Sequence, residues 1–238
     1  MSNISINLSS QQSDIRTSIS PPIKLDPKKR HEMALIRLET YNSTPNVDES
    51  NNIIKYKYQG TMHEIEIPVG AYELAEINEY IQSKLVKPKI FEFLPNENTL
   101  KCNIRLNEHG LYLYFDHERS MKQLLGFRDH VYLTSLGDHE GPYIVKILKV
   151  NQIHVNCNII EGSYLNGSKA PILYSFFPNV SPGYKVVETP NENIYLPVSQ
   201  TYIESIRVWL TNQDGEPINL RDEVLSIWLI LREVWRLG

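Results

Sequence analysis

Hydrophobic and polar residues alternate along most of this chain, most cleanly near its end. Within Asn193–Val234, Ile206, Val208 and Leu210 fall on one face of an extended run. Ser205, Arg207 and Thr211 fall on the other, with Trp209 among them. A period of two marks a strand with one buried face. Asn212-Gln213-Asp214-Gly215 follows, and Asp-Gly supplies the positive φ angles of a tight turn. Leu225, Ile227, Leu229 and Leu231 then alternate with Ser226, Trp228, Ile230 and Arg232. The pattern predicts two long strands joined as a hairpin in an antiparallel sheet. Because Trp228 and Ile230 make the outer face partly apolar, that sheet is expected to be covered on one side and contacted on the other.

Upstream, the same alternation recurs in shorter runs. Ala34, Ile36 and Leu38 share one face of a strand beginning near Met33, and Ile54, Tyr56 and Tyr58 share a face of the next. Leu74, Ile77, Ile81 and Leu85 recur at helical spacing, which predicts a helix over 71–85 stopped by Pro88. A helical turn is expected at Ser120–Leu125, closed by Gly126. The fold class predicted is all-β, an antiparallel β-sandwich of the single jelly-roll kind with one or two short helices in its connections. Residues 1–30, rich in Ser, Asn and Gln and broken by Pro21, Pro22 and Pro27, are expected to be a flexible, disordered N-terminal arm. Residues 31–238 are expected to be one domain. Lys28, Lys29 and Arg30 form a basic cluster, either a solvated linker or a site where the arm docks on a partner.

Composition narrows the function. Of 238 residues, 41% are hydrophobic and 22% charged, enough to bury a full core. A net charge of −4 argues against a protein that wraps nucleic acid, so no specific nucleic-acid partner is expected. The polar N-terminus lacks a secretory apolar segment, and no run reaches the ~18–20 apolar residues of a membrane span. Synthesis in a cytosol-like compartment, without membrane insertion, is expected. Cys102 and Cys157 sit in strand-like runs and read as buried thiols, with a single disulfide as the alternative.

The chemistry-bearing residues form no recognisable set. The seven histidines make no HExxH and no paired Cys/His spacing. Asp116-His117-Glu118 and Asp138-His139-Glu140 alternate in direction along an extended chain and do not converge on one ion. Without a nucleophile elbow, P-loop or dinucleotide glycine pattern, no catalytic residue, metal, cofactor or small-molecule substrate is expected, and the chain reads as a non-enzyme. Aromatic residues remain: 14 tyrosines, most on strands, and three tryptophans. Tyrosine suits a half-buried pleat, which accounts for most of them. Trp209, Trp228, Ile230 and Trp235 are the candidate subunit-interface residues, since stiff aromatic area is what protein interfaces use.

Several segments taken in order carry a resemblance. They are Leu38–Asn46 with Asn51-Asn52 behind it, Ile65–Leu74, Leu124–Phe127, Cys157–Gly167, Phe177–Tyr184, Ile194–Pro197 and Asn212–Gly215. Together they resemble the minor capsid (penton) proteins of Maverick/Polinton elements and adintovirus-like DNA viruses. The resemblance covers about Met33 to Val234 and implies a single jelly roll that assembles as a homopentamer and plugs the fivefold vertices of an icosahedral virion. It implies a double-jelly-roll major capsid protein as neighbour, and no catalytic residues. The protein would be made in the host cytoplasm, with cytoplasm or nucleus as the place of assembly. A jelly-roll binding module, a lectin-like or receptor-binding head with aromatics on a sheet face, is the alternative.

Overall fold

In the computed structural model of the chain, residues 3–147 and 150–234 are described. They form two compact units where the sequence pattern gave one domain: residues 3–44 with 150–234, and residues 45–147. The first unit opens with β1 (Asn3–Ser10), β2 (Asp14–Lys24) and β3 (Arg30–Tyr41). The second unit then intervenes with β4 (Ile53–Tyr58), β5 (Thr61–Glu66), α1 (Leu74–Lys84), β6 (Phe91–Asn96) and β7 (Lys101–Leu106). It continues with β8 (Tyr112–Tyr114), α2 (Lys122–Leu125), β9 (Tyr132–Leu133) and β10 (Gly137–Ile144). The first unit resumes with β11 (Ile153–Cys157), the small hairpin β12 (Tyr164–Leu165) and β13 (Ser168–Lys169), β14 (Ile172–Phe176) and β15 (Lys185–Glu188). It ends with β16 (Leu196–Pro197), β17 (Tyr202–Thr211) and β18 (Leu225–Val234).

The first unit is a sandwich of two antiparallel sheets, in the orders β1-β18-β3-β15 and β14-β11-β17-β2. Taking its eight long strands in chain order, the first sheet holds the first, eighth, third and sixth. The second holds the fifth, fourth, seventh and second. That interleaving is a jelly roll. Its core is the inward set of both sheets: Ile6, Leu8, Met33, Leu35, Leu38, Ile227, Leu229 and Leu231 against Ile15, Val155, Cys157, Ile206, Val208 and Leu210.

Three expectations change here. Residues 3–24 are not a free arm: β1 pairs with β18 along its whole length, and β2 pairs with β17 through Asp14–Ser18 and again at Ile23 and Lys24, with an irregularity between. Ile6, Leu8 and Ile15 are buried, so two of the eight sandwich strands come from this segment. Second, β17 and β18 are not a hairpin. They lie in different sheets and meet only through the core, because each has one apolar face and the two faces oppose each other. The Asn212–Gly215 turn exists, with Asn212 Oδ1 accepting from the Asp214 and Glu216 N–H groups at 2.9 Å and Gly215 at φ +81°. It serves a short local return, Thr211 against Pro217, before the chain crosses between sheets. Third, the phase of β3 breaks. A bulge opposite Trp228 and Leu229 lets Met33, Leu35 and Leu38 all face inward, where Ala34, Ile36 and Leu38 were expected to share a face.

In the second unit, sheets β5-β4-β8-β9 and β10-β7-β6 enclose a separate core with α1 packed by β6. Helix α1 buries Leu74, Ile77 and Ile81, and Glu73 and Glu76 form its capping box. Gly126 ends α2 at φ +78°, where a Cβ would sit 2.2 Å from the Tyr143 carbonyl oxygen. Glycine is therefore required there. Cys102 and Cys157 are free and buried, and burial pushes their thiols up to about 12 and about 11.

If β1 is part of the sandwich, Leu8→Ala, at a buried position, lowers unfolding free energy by about 2–4 kcal/mol in chemical denaturation. A mobile arm would show no change.

Candidate functional site

Alternation along β18 sends Ser226, Trp228, Ile230 and Arg232 to the outer face of the first sheet. Trp228 lies between Asn7 on β1 and Arg37 on β3, and the Arg37 guanidinium sits 5.8 Å from its ring centre. Ile230 lies beside Ala34. Trp228 and Ile230 are each half-buried. Thus the outward apolar character read from sequence holds.

Two charge clusters bracket this strip. On one side Glu39 takes both Arg37 and Lys185, the latter at 2.6 Å. Those cations hold its carboxyl below the usual range, the Lys185 hydrogen bond most strongly. On the other side the buried Glu32 takes Arg232 at 2.7 Å and Arg30 at 3.2 Å, and Arg232 lies 3.3 Å from the centre of the Tyr195 ring. Each cluster holds two cations and one carboxylate, so the brackets together carry a net charge of +2.

The other candidates are dispersed. Trp209 faces outward from the second sheet, so Trp209 and Trp228 lie on opposite faces of the sandwich and cannot share one patch. Arg207 stacks over Trp209 at 4.3 Å and donates to both Asp14 oxygens, at 2.9 and 2.7 Å. That hydrogen-bonded pairing lowers the pKa of Asp14. Arg207 also lines an open polar groove with Arg16, Thr17, Ser18, Asn158 and Ser205. Lys28 and Lys29 of the basic cluster lie in the β2–β3 turn and Arg30 opens β3, so none of them sits in a free arm. Lys29 binds Glu233 at 2.7 Å, Arg30 binds Glu32, and Lys28 is exposed. Trp235 lies outside the described residues.

The second sheet also holds a polar feature that sequence alone did not single out. Strand β11 is buried on both faces, with His154 and Asn156 outward. His154 Nδ1 meets Ser175 Oγ at 2.7 Å, while its Nε2 is buried with no partner among the described residues. A serine–histidine contact without an acid on the second nitrogen lacks the group that orients a nucleophilic triad. The Asp138-His139-Glu140 triplet engages three separate partners. Asp138 pairs with Arg105 at 2.6 Å, His139 Nε2 meets the Ser135 carbonyl at 2.7 Å, and Glu140 accepts from Asn96 at 3.0 Å.

Burial holds the His154 imidazole below its ordinary value of 6.5. A depressed histidine favours the neutral native form, so its contribution is complete above about pH 6.5 and is lost as pH falls toward the lower native value. Burial lowers His117 in the same direction, with Lys55 adding to it. Denaturation at pH 7.5 and 5.5 should show lower stability at 5.5, and His154→Gln should shrink that difference without abolishing it.

No protein-family model matches the chain, and no curated protein does. Among solved structures it is similar to the mavirus penton protein, with a TM-score of 0.52 and 13% sequence identity. The match covers 98% of this chain and 100% of that one, so it runs through both units. At this identity the likeness is one of fold.

Proposed function

We propose that this chain is a structural minor capsid protein of the penton kind: a non-enzymatic subunit, five copies of which close a ring at the fivefold vertices of an icosahedral shell. The observation that carries this reading is the end-to-end match to the mavirus penton protein, 98% of one chain on 100% of the other. A jelly-roll core alone would be weak support, because many functions share it. A match that also includes the 45–147 unit is more specific. The segments that resemble penton proteins of Maverick/Polinton elements and adintovirus-like viruses support placing the chain in that group. Its neighbours in the shell would be copies of itself and a double-jelly-roll major capsid protein.

Within this reading, Trp228 and Ile230 form the contact strip, a half-buried apolar centre with a charged rim. That arrangement is how protein interfaces divide. Lys28 remains the exposed member of the basic turn that could meet a shell neighbour.

Trp228→Glu tests the strip. Its ring faces away from the core and Arg37 can accept the new carboxylate, so the monomer's melting temperature should move by only a few degrees. Assembly, followed by light scattering and negative-stain microscopy, should fall at least about tenfold. A strict monomer in the unsubstituted protein, alone and co-expressed with a major capsid protein, would remove the ring reading. A folding defect equal to the assembly defect would return Trp228 to a packing role.

A further inference from the structure

The sheet β5-β4-β8-β9 of the second unit has one face in the core, through Tyr56, Ile65, Leu113 and Leu133. Its other face is open, and register sorts that face into two rows. Glu64, Lys55, Tyr114 and Tyr132 stand side by side across the four strands. Met62, Lys57 and Tyr112 form the neighbouring row. The rings of Tyr112 and Tyr114 are near-parallel with centres 6.4 Å apart, and Tyr132 continues the group 6.5 Å from Tyr114. Met62 and Tyr132 are each 54% exposed and Tyr112 is 40% exposed. Single exposed apolar residues are ordinary, but a contiguous group calls for an occupant.

Charge and shape select among occupants. Lys55 is matched by Glu64 at 3.2 Å, while Lys57 stands between Met62 and Tyr112 with no acidic partner among the described residues. The face therefore carries one uncompensated positive charge. A single-stranded nucleic acid presents a phosphate at every nucleotide and calls for a basic track, which a chain of net charge −4 with one unmatched lysine here does not supply. Three tyrosines bring apolar rings with hydroxyl groups at their tips to one partly exposed group. A pyranose is the complementary object, with C–H groups on its faces and hydroxyls at its edge. One unmatched ammonium among the rings matches a carboxylate carried at intervals along such a chain.

We propose that this tyrosine–lysine face binds a carboxylate-bearing oligosaccharide lying across the two rows. Pyranose rings stack on Tyr112, Tyr114 and Tyr132, and a carboxylate pairs with Lys57. The proposal concerns the second unit alone and does not depend on ring assembly.

The test titrates the full chain with hyaluronan hexasaccharide, its carboxyl-reduced counterpart and decathymidylate, by calorimetry and saturation-transfer NMR. The acidic hexasaccharide should bind, and the reduced one should bind at least about fivefold more weakly. Tyr112→Ala and Tyr132→Ala should each weaken binding at least about fivefold, and Lys57→Gln should erase the preference for the carboxylate. Met62→Glu changes an exposed position beside Lys57 without touching the tyrosines, and it should weaken the acidic ligand alone. Circular dichroism must match the unsubstituted chain for each variant. No binding of either hexasaccharide, binding indifferent to the tyrosine variants, or tighter binding of decathymidylate would each overturn the proposal.

Discussion

The structure of the first unit depends on one constraint: β17 and β18 each have a single apolar face, and those faces must be buried against each other. Ile206, Val208 and Leu210 belong to one sheet, and Ile227, Leu229 and Leu231 to the other. Burying them across a core removes apolar area from water at about 25 cal/mol per Å². An edge-to-edge hairpin would leave both faces needing separate cover. Everything else in the sandwich extends this pairing. Strands β1 and β3 flank β18, and β2 and β11 flank β17, each adding alternate apolar residues to the same core.

That constraint explains what could be read from the sequence. A period of two tells which side chains are buried, and it placed the inward residues of β17 and β18 correctly, together with the outward Trp228 and Ile230. Helical spacing placed Leu74, Ile77 and Ile81, and Gly126 marked the end of α2. Periodicity is silent about which strand lies next door. Crossover and hairpin give the same alternation, so the Asp-Gly turn misdirected the pairing. The N-terminal strands were hidden because polar residues, mostly Ser and Asn, fill their outward positions and prolines interrupt β2, leaving Ile4, Ile6, Leu8, Ile15, Ile19 and Ile23 as a thin signal. The division into units was hidden too, since residues 45–147 repeat the strand-and-polar-turn texture of the rest.

The candidate surfaces follow the same logic. A tryptophan's outward direction is a local property of its strand, whereas a patch is a long-range property of pairing. Trp209 and Trp228 are close in sequence yet lie on opposite faces. Tyr112, Tyr132 and Lys57 are far apart in sequence yet neighbours, because β4, β8 and β9 pair in order. Only the register could assemble that group.

Charge then limits what can sit on Trp228. The clusters beside it sum to +2 in a chain of net charge −4, so the remainder carries −6. A two-fold contact of this face with itself would set +2 against +2, and like charges across an interface are costly. The Trp209 face is no better matched, since Arg16 and Arg207 share the single Asp14. The segment between β17 and β18 is the opposite: Asp214, Glu216, Asp222 and Glu223 face one Arg221 in charge balance. In the proposed assembly, a contact joining two different surfaces of successive copies would set acidic against basic, whereas a self-matched one would not. Such a head-to-tail contact would be repeated there by a rotation that closes, since one that does not close gives an open filament instead of a ring.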